Sequence, residues 1–359
     1  MAQLAPRSFF ALILAFALGA VGNAQAQLRS PWDGHPVTST NAPYNCPAVV
    51  PLSPNLTTDG FYSDGKSSVI DPEKMKAYAA SSGPYKNLGQ VIVNAADAWR
   101  STGSRAAAEC ALKHMEAAAQ DGVLTGKMSS RQAYYVQGWV IGAVAIGWLK
   151  VRDSGLETPA LDRLVPPWVV RVVHQTIDFY AREHARNNHL YWAGVEAAAA
   201  AVAANNRELF DWAMSTYHVG IDQIQPDGSM PLEMARGQRA LHYHLFALAP
   251  LVYLAEFGEV NGLHLYAEHD HALARLERLS VDGMYDNRFF VKATGIAQDL
   301  PGTGPPAAEQ VSWGVIWQAH FPDPKLAALL ARATSLSYMY LGGLPPGVHR
   351  LPGLQKEEP

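Results

Sequence analysis

From residue 72 onward the apolar residues of this chain recur every three or four positions, the spacing that lines up one face of an α-helix. Ala108, Ala111, Leu112, Met115, Ala118 and Ala119 form one such stripe, and Tyr135, Val136, Trp139, Ala143, Ile146 and Leu149 form another. The same periodicity predicts helices over 167–185, 190–203, 207–224, 232–257, 263–279, 307–320 and 325–336. Breaks are expected at Gly155, at Pro166 and Pro167, at Asn205 and Asn206, at Pro226 to Gly228, and at Asn261 and Gly262, all residues with turn or cap chemistry. No stretch alternates apolar and polar residues with the period of two that a half-buried strand requires. The pattern therefore predicts an all-α protein in which helices joined by short connections lie antiparallel. A bundle, a solenoid and a closed ring of hairpins all satisfy it. Residues 27–70, rich in Pro, Asn, Ser, Thr and Gly, read as an extended arm, and 281–306 as the main irregular excursion; the default is one domain over 27–359.

The first 26 residues follow different rules. A single basic residue, Arg7, precedes an apolar run from Phe9 to Val21, and Ala24 and Ala26 flank Gln25. This is the layout of a secretory signal peptide with cleavage before Gln27, and the run is too short for a membrane anchor. A periplasmic or secreted protein is expected, with no later segment apolar for long enough to cross a bilayer. In such a compartment the two cysteines, Cys46 and Cys110, are expected to be joined. They have no C-x-x-C spacing and are too few for a four-ligand zinc site. With 359 residues, 48% hydrophobic and 17% charged, the chain is globular in composition. A net charge of −4 and the lack of a basic tail argue against nucleic acid as a partner.

Two polar clusters interrupt the helical pattern. Arg186 to Gly194 reads RNNHLYWAG, which is too polar for a core and too aromatic for an ordinary turn. Glu233 to His244 reads EMARGQRALHYH. On a continuous helix Arg236, Arg239 and Tyr243 (i, i+3, i+7) would share one face and present two guanidiniums and a phenol. His242-Tyr243-His244 and Glu268-His269-Asp270-His271 contain metal-ligand types, but residues i and i+2 of a helix diverge, so no metal site is expected. Gly302-Thr303-Gly304 lacks the preceding strand of a dinucleotide loop, and no G-x-S-x-G is present. A glycosidase would need paired carboxylates, which neither cluster supplies.

The order NNHLYWAG, then PLEMARGQRALHYH, closely resembles the alginate lyase family of bacterial polysaccharide lyases, the group that cleaves poly-mannuronate. FYSDGKSSVIDPE over 61–73, NCPAV around Cys46, AECAL around Cys110 and LGG at 341–343 match the same family in the same order. The resemblance implies an incomplete α/α barrel, or toroid, of antiparallel hairpins around a tunnel-like cleft, with a lid near 60–70. It implies a cofactor-free monomer acting on an anionic polysaccharide, with Asn188, His189, Arg236 and Tyr243 as catalytic residues. Tyr62, Lys66, Trp139, Trp192, Arg239 and His242 are the further candidates for substrate contact. The implied reaction is β-elimination across C4 and C5 of a 1,4-linked uronate. The rival expectation is a non-catalytic periplasmic protein that binds or scaffolds acidic glycans. One position departs from the family: many members carry Arg before the Leu-Gly-Gly, where this chain has Tyr340. Because mannuronate and glucuronate differ only at C2, glucuronan and hyaluronan stay open as substrates.

Overall fold

A computed structural model describes residue 1, residues 26–184 and residues 186–348; most of the expected signal peptide, and with it the basis of the localisation, lies outside the described residues. The chain is built from α-helices, and among the described residues β-pairing is limited to isolated bridges. Among the described residues, eight long helices form four antiparallel pairs: α1 (Pro72–Thr102) with α2 (Arg105–Gln120), α3 (Arg131–Val151) with α4 (Pro159–Glu183), α5 (Asn188–Ala204) with α6 (Arg207–Ile221), and, across a broken connection, α8 (Ala240–Glu259) with α9 (Glu268–Gly283). The short α7 (Pro231–Met234) precedes α8, and α10 (Arg288–Thr294), α11 (Ala308–Val311), α12 (Gly314–His320) and α13 (Pro324–Arg332) close the chain against α8 and α9. Neighbours run α1–α3–α5–α8 on the inside, each backed by its hairpin partner. This is the incomplete α/α toroid.

The inner position explains the composition of the inner helices. A helix covered on all sides has no solvated face, so it is apolar all round. Ala197 to Ala201, a run of five alanines in α5, are all fully buried, and their small side chains let α3, α6 and α8 approach closely. At Gly138 of α3 a Cβ would lie 2.4 Å from the carboxylate oxygens of Glu196 on α5, so only glycine fits. The stretch Gly237–Glu259 is apolar and long enough to cross a membrane, contrary to the sequence expectation, yet 83% of its apolar window is buried inside the protein.

Other boundaries also differ from the periodicity. The 166–167 break is absent: α4 runs through Pro166 and Pro167, and the carbonyls those prolines cannot satisfy belong to Asp162 and Arg163, which are exposed to water. The expected helix over 232–257 is instead two helices and a 3₁₀ turn, Gly237–Arg239. Gly237 has φ +61°, which a continuing helix does not allow. Residues 281–306 contain α10.

The arm 27–70 wraps the toroid and delivers its far end to the open centre of the ring. Cys46 and Cys110 are joined, with Cα atoms 5.6 Å apart, fixing the arm to α2. A loop of that length is stabilised by about 4 kcal/mol in the chain-entropy account. The Tyr85 hydroxyl donates to the Asn55 carbonyl at 2.7 Å, and the Tyr62–Ile70 bridge closes the loop that follows. Asp64 braces that loop by accepting from the backbone N–H groups of Lys66, Ser68 and Val69.

Candidate active site

The RNNHLYWAG cluster sits at the start of α5. Asn187 occupies the cap position, but its side chain makes no capping bond. Asn188 is fully buried and faces Glu233 of α7: its backbone N–H donates to Oε1 at 3.0 Å and its Nδ2 to Oε2 at 2.7 Å. His189 lies flat against the Tyr135 ring of α3, with centroids 3.7 Å apart and planes 7° from parallel. Burial first, then the charges of Arg236 and Arg131, push its pKa down to about 3, so the imidazole is neutral at ordinary pH.

The second cluster meets the first across the ring. Arg236 and Tyr243 are not on one continuous helix, and the shared-face argument fails for them. The Gly237 turn folds Arg236 back so that its guanidinium carbon lies 3.4 Å from the centre of the Tyr243 ring. Arg236 also donates from Nε to the Lys66 carbonyl at 2.9 Å and from Nη2 to the Ser67 carbonyl at 2.8 Å, and Gln238 donates to the Ser68 carbonyl at 2.8 Å. The 60–70 loop is thus held down over Tyr243 by its own backbone carbonyls. The Lys66 side chain is exposed, and what Lys66 offers Arg236 is its backbone carbonyl.

A short polar chain converges on the phenol of Tyr243. Its hydroxyl is 2.9 Å from that of Tyr62, and Arg239 donates from Nη1 to the Tyr62 oxygen at 2.5 Å. Arg239 Nη2 is 3.0 Å from His242 Nε2. An arginine only donates, so this nitrogen of His242 accepts and its proton sits on Nδ1. Burial, then Arg239 and Arg236, push His242 down to about 3. Asp299, with a carboxylate oxygen 3.1 Å from Arg239 Nε, supplies the counter-charge. Burial first and the adjoining Tyr243 second raise the pKa of Tyr62 far above that of an ordinary phenol. His244, the neighbour of Tyr243, turns away and accepts from the Met230 N–H at 2.9 Å, tying the start of α7 to α8.

The tryptophans separate. Trp139 stacks on Tyr340 at 4.5 Å and 10°, and its ring centre is 6.0 Å from that of His189. Trp192 is a correction: only 2% exposed, with its indole N–H donating to the Phe246 carbonyl at 3.0 Å, it belongs to the core beneath the site. Sequence reasoning did not single out Glu233, Tyr135, Gln238 or Asp299. Tyr135 precedes Trp139 by one helical turn, and Glu233 lies inside the second motif; those were the available signals.

Comparison with known proteins decides what this arrangement belongs to. A family profile described as alginate lyase matches residues 55–290. A polysaccharide lyase of Stenotrophomonas maltophilia (strain K279a) is 36% identical over 291 residues, which is 80% of this chain and 85% of that protein. The chain belongs to the alginate lyase family. An alginate lyase of Pseudomonas entomophila (strain L48) is 31% identical over 78% of this chain and 80% of its own length. Among solved structures, alginate lyase A1-III complexed with a tetrasaccharide shares the fold with a TM-score of 0.74 at 22% identity, over 85% of this chain and 86% of that one. Alginate lyase A1-III from Sphingomonas species A1 gives 0.68 at 21% identity, over 89% and 90%. The segment matched by the alginate lyase profile holds the 60–70 loop and both motifs, whereas Asp299 and Tyr340 lie beyond it.

Proposed function

We propose that the protein is a polysaccharide lyase that cleaves poly-β-D-mannuronate by β-elimination, with Tyr243 as proton carrier. The observation that carries this is the setting of one phenol: Tyr243 has a guanidinium 3.4 Å over its ring, a second hydroxyl 2.9 Å from its own, and a neutral imidazole across the cleft. Removing the C5 proton places charge on the sugar carboxylate, and catalysis requires groups that hold that charge better as it grows. Asn188, His189 and the Nη1 end of Arg236 are the groups suited to share it. Tyr243 acts from its phenolate form: it takes the C5 proton, and the phenol so formed gives that proton to the departing O4, restoring the phenolate.

The direction of the hydrogen bonds supports that role. Because Arg239 donates to the Tyr62 oxygen, Tyr62 has its own proton free for the Tyr243 oxygen. The negative charge that Tyr243 carries before it takes the C5 proton, and regains on protonating O4, is met by a hydrogen bond donated by Tyr62 on one side and by Arg236 on its ring face. Tyr62, with its raised pKa, keeps its proton through the cycle. In mannuronate and glucuronate the C5 proton and the C4 oxygen lie on the same side, so one tyrosine serves both; guluronate, the C5 epimer, would need His189 as base.

We extend the substrate range to glucuronan and hyaluronan. Tyr340, in place of the arginine many members carry, makes an uncharged stacking surface with Trp139 and borders a cavity of about 590 Å³ lined also by Lys86, Gln90, Glu309 and Tyr338. An aromatic platform accepts the face of a neutral sugar as readily as that of a uronate. The loop 60–70 is proposed to act as a lid, and residues 1–26 as an export signal that brings the enzyme to polymers too large to enter the cell.

The test is turnover of mannuronan, guluronan, glucuronan and hyaluronan, followed by the ultraviolet absorbance of unsaturated uronate ends with chelator present. Tyr243→Phe is expected to lower kcat by at least about 10³-fold while still binding polymer. A Phe variant of near-normal rate refutes the assigned base. Binding by the wild-type protein with no turnover on any polymer would leave a non-catalytic glycan-binding protein.

A further inference from the structure

As it stands, the Asn188 amide has no donor free for an anion. Its donor end, Nδ2, is engaged by Glu233 Oε2 at 2.7 Å, and its acceptor end, Oδ1, is buried without a hydrogen-bond partner. A substrate carboxylate is itself only an acceptor, so an amide whose donor end is already taken offers it no hydrogen bond. The amide helps only when rotated by half a turn, with Nδ2 toward the sugar and Oδ1 toward Glu233. Glu233 must then donate, which a carboxylate cannot do and a carboxylic acid can.

We propose that Glu233 is a positioning residue whose proton selects which end of the Asn188 amide meets the substrate carboxylate. As an acid it donates from Oε2 to Asn188 Oδ1 and frees Nδ2 for the sugar. As a carboxylate it takes Nδ2 for itself. In both states the Asn188 backbone N–H continues to donate to Oε1. The inference rests on the lyase reading of the site.

The surroundings of Glu233 allow both states near neutral pH. It is 1% exposed, and burial pushes its carboxyl up to about 7, against the opposing pull of the two Asn188 bonds and of Arg236. Few other charged or titratable groups face it. From α5 come Asn188 and the Tyr191 phenol, which the Glu233 charge helps to raise. From α8 comes His244, engaged with Met230, and Arg288 and Lys292 of α10 are exposed. A substrate carboxylate arriving beside Asn188 favours the acid form, so binding is coupled to proton uptake above pH 7.

Two measurements test this. The first is the pH profile of mannuronan cleavage by wild type and Glu233→Gln. Wild-type kcat/KM is expected to fall by about tenfold per pH unit above roughly pH 7, while kcat holds to higher pH because bound substrate retains the proton. A glutamine donates permanently from Nε2 and accepts at Oε1, so E233Q should keep neutral-pH kcat/KM within about threefold and move the alkaline limb up by at least about one pH unit. A folded E233Q whose limb coincides with that of wild type, or whose loss is uniform across pH, overturns the proposal. The second needs no folded E233Q: titration calorimetry of mannuronate oligomers into Tyr243→Phe at pH 8, in buffers of different ionisation enthalpy. Uptake of close to one proton is expected, and none overturns the proposal. Failure of the oligomers to bind at any pH would instead overturn the lyase reading.

Discussion

Tyr62 shows how far a single hydroxyl matters here. Among the described residues of the site it donates a hydrogen bond to the Tyr243 oxygen while its own oxygen is held by a guanidinium, at 2.5 Å from Arg239 Nη1. Tyr62→Phe deletes that donor and leaves the ring, which packs on Phe61 at 4.5 Å, in place. A hydrogen bond to a developing anion contributes about 1.5–3 kcal/mol, so kcat should fall by roughly 10- to 100-fold. Because the aromatic ring is retained, KM should change by less than about threefold. Steady-state kinetics separate the two, and a variant that loses only KM would show that Tyr62 grips substrate and does not stabilise the Tyr243 oxygen. The loss should be smaller than that for Tyr243→Phe, which removes the oxygen proposed to carry the proton.

At the scale of elements, the site depends on the break between α7 and α8. Gly237 supplies it with φ +61°, and a Cβ there would meet nothing nearer than Ile296 Cγ2 at 4.0 Å. Gly237→Ala is therefore opposed by backbone strain and not by a clash, and should destabilise the protein by about 1 kcal/mol. The strain falls between Arg236 and Arg239, so kcat/KM should drop by more than a shift of a few degrees in Tm accounts for; equal activity with an unchanged Tm would mean the turn tolerates alanine. This break also marks where sequence reasoning failed. Arg236 and Tyr243 were assigned to one face of an uninterrupted helix, and they meet because the helix is interrupted; the glycine between the arginines was the visible sign of it. The all-α class was legible because the inner helices keep helical spacing even where they are apolar all round. The ring could not be read from periodicity, since no residue pattern states which helices are neighbours, and it came from resemblance. Glu233 was in view within its motif, but its burial against Asn188 is made by α5, which is distant in sequence. Trp192 was misread for the same reason: α5 is covered on every side, so an aromatic three positions after His189 faces the core.

For the whole molecule, the buried titratable groups set the pH range of stability. His189, His242 and His244 are pushed by burial to about 3, about 3 and about 4, below the ordinary histidine value. Below about pH 6.5 the unfolded chain binds protons at these positions that the folded one refuses, so their contribution to stability is lost as pH falls toward 4 and 3. Glu233 and Glu277 are pushed by burial to about 7 and about 8, and Glu196 well above the ordinary carboxyl value. For these the folded state holds protons that the unfolded chain releases near pH 4.5, so stability falls as pH rises from there until the folded groups ionise. Between about pH 4.5 and 6.5 three histidines and three glutamates oppose one another, and the slopes cancel. Below that window these histidines act and these glutamates do not, and above it the reverse holds; burial adds His114 to the first side and Glu309 to the second. Tm is therefore expected to be level from about pH 4.5 to 6.5 and to decline on both sides, measured by calorimetry in matched ionic strength. Glu277→Gln, distant from Asn188, should flatten the alkaline decline without touching the alkaline limb of kcat/KM, whereas Glu233→Gln should alter both. If the two substitutions moved the activity profile equally, the fall of activity above neutral pH would belong to loosening of the fold and not to the Asn188 amide.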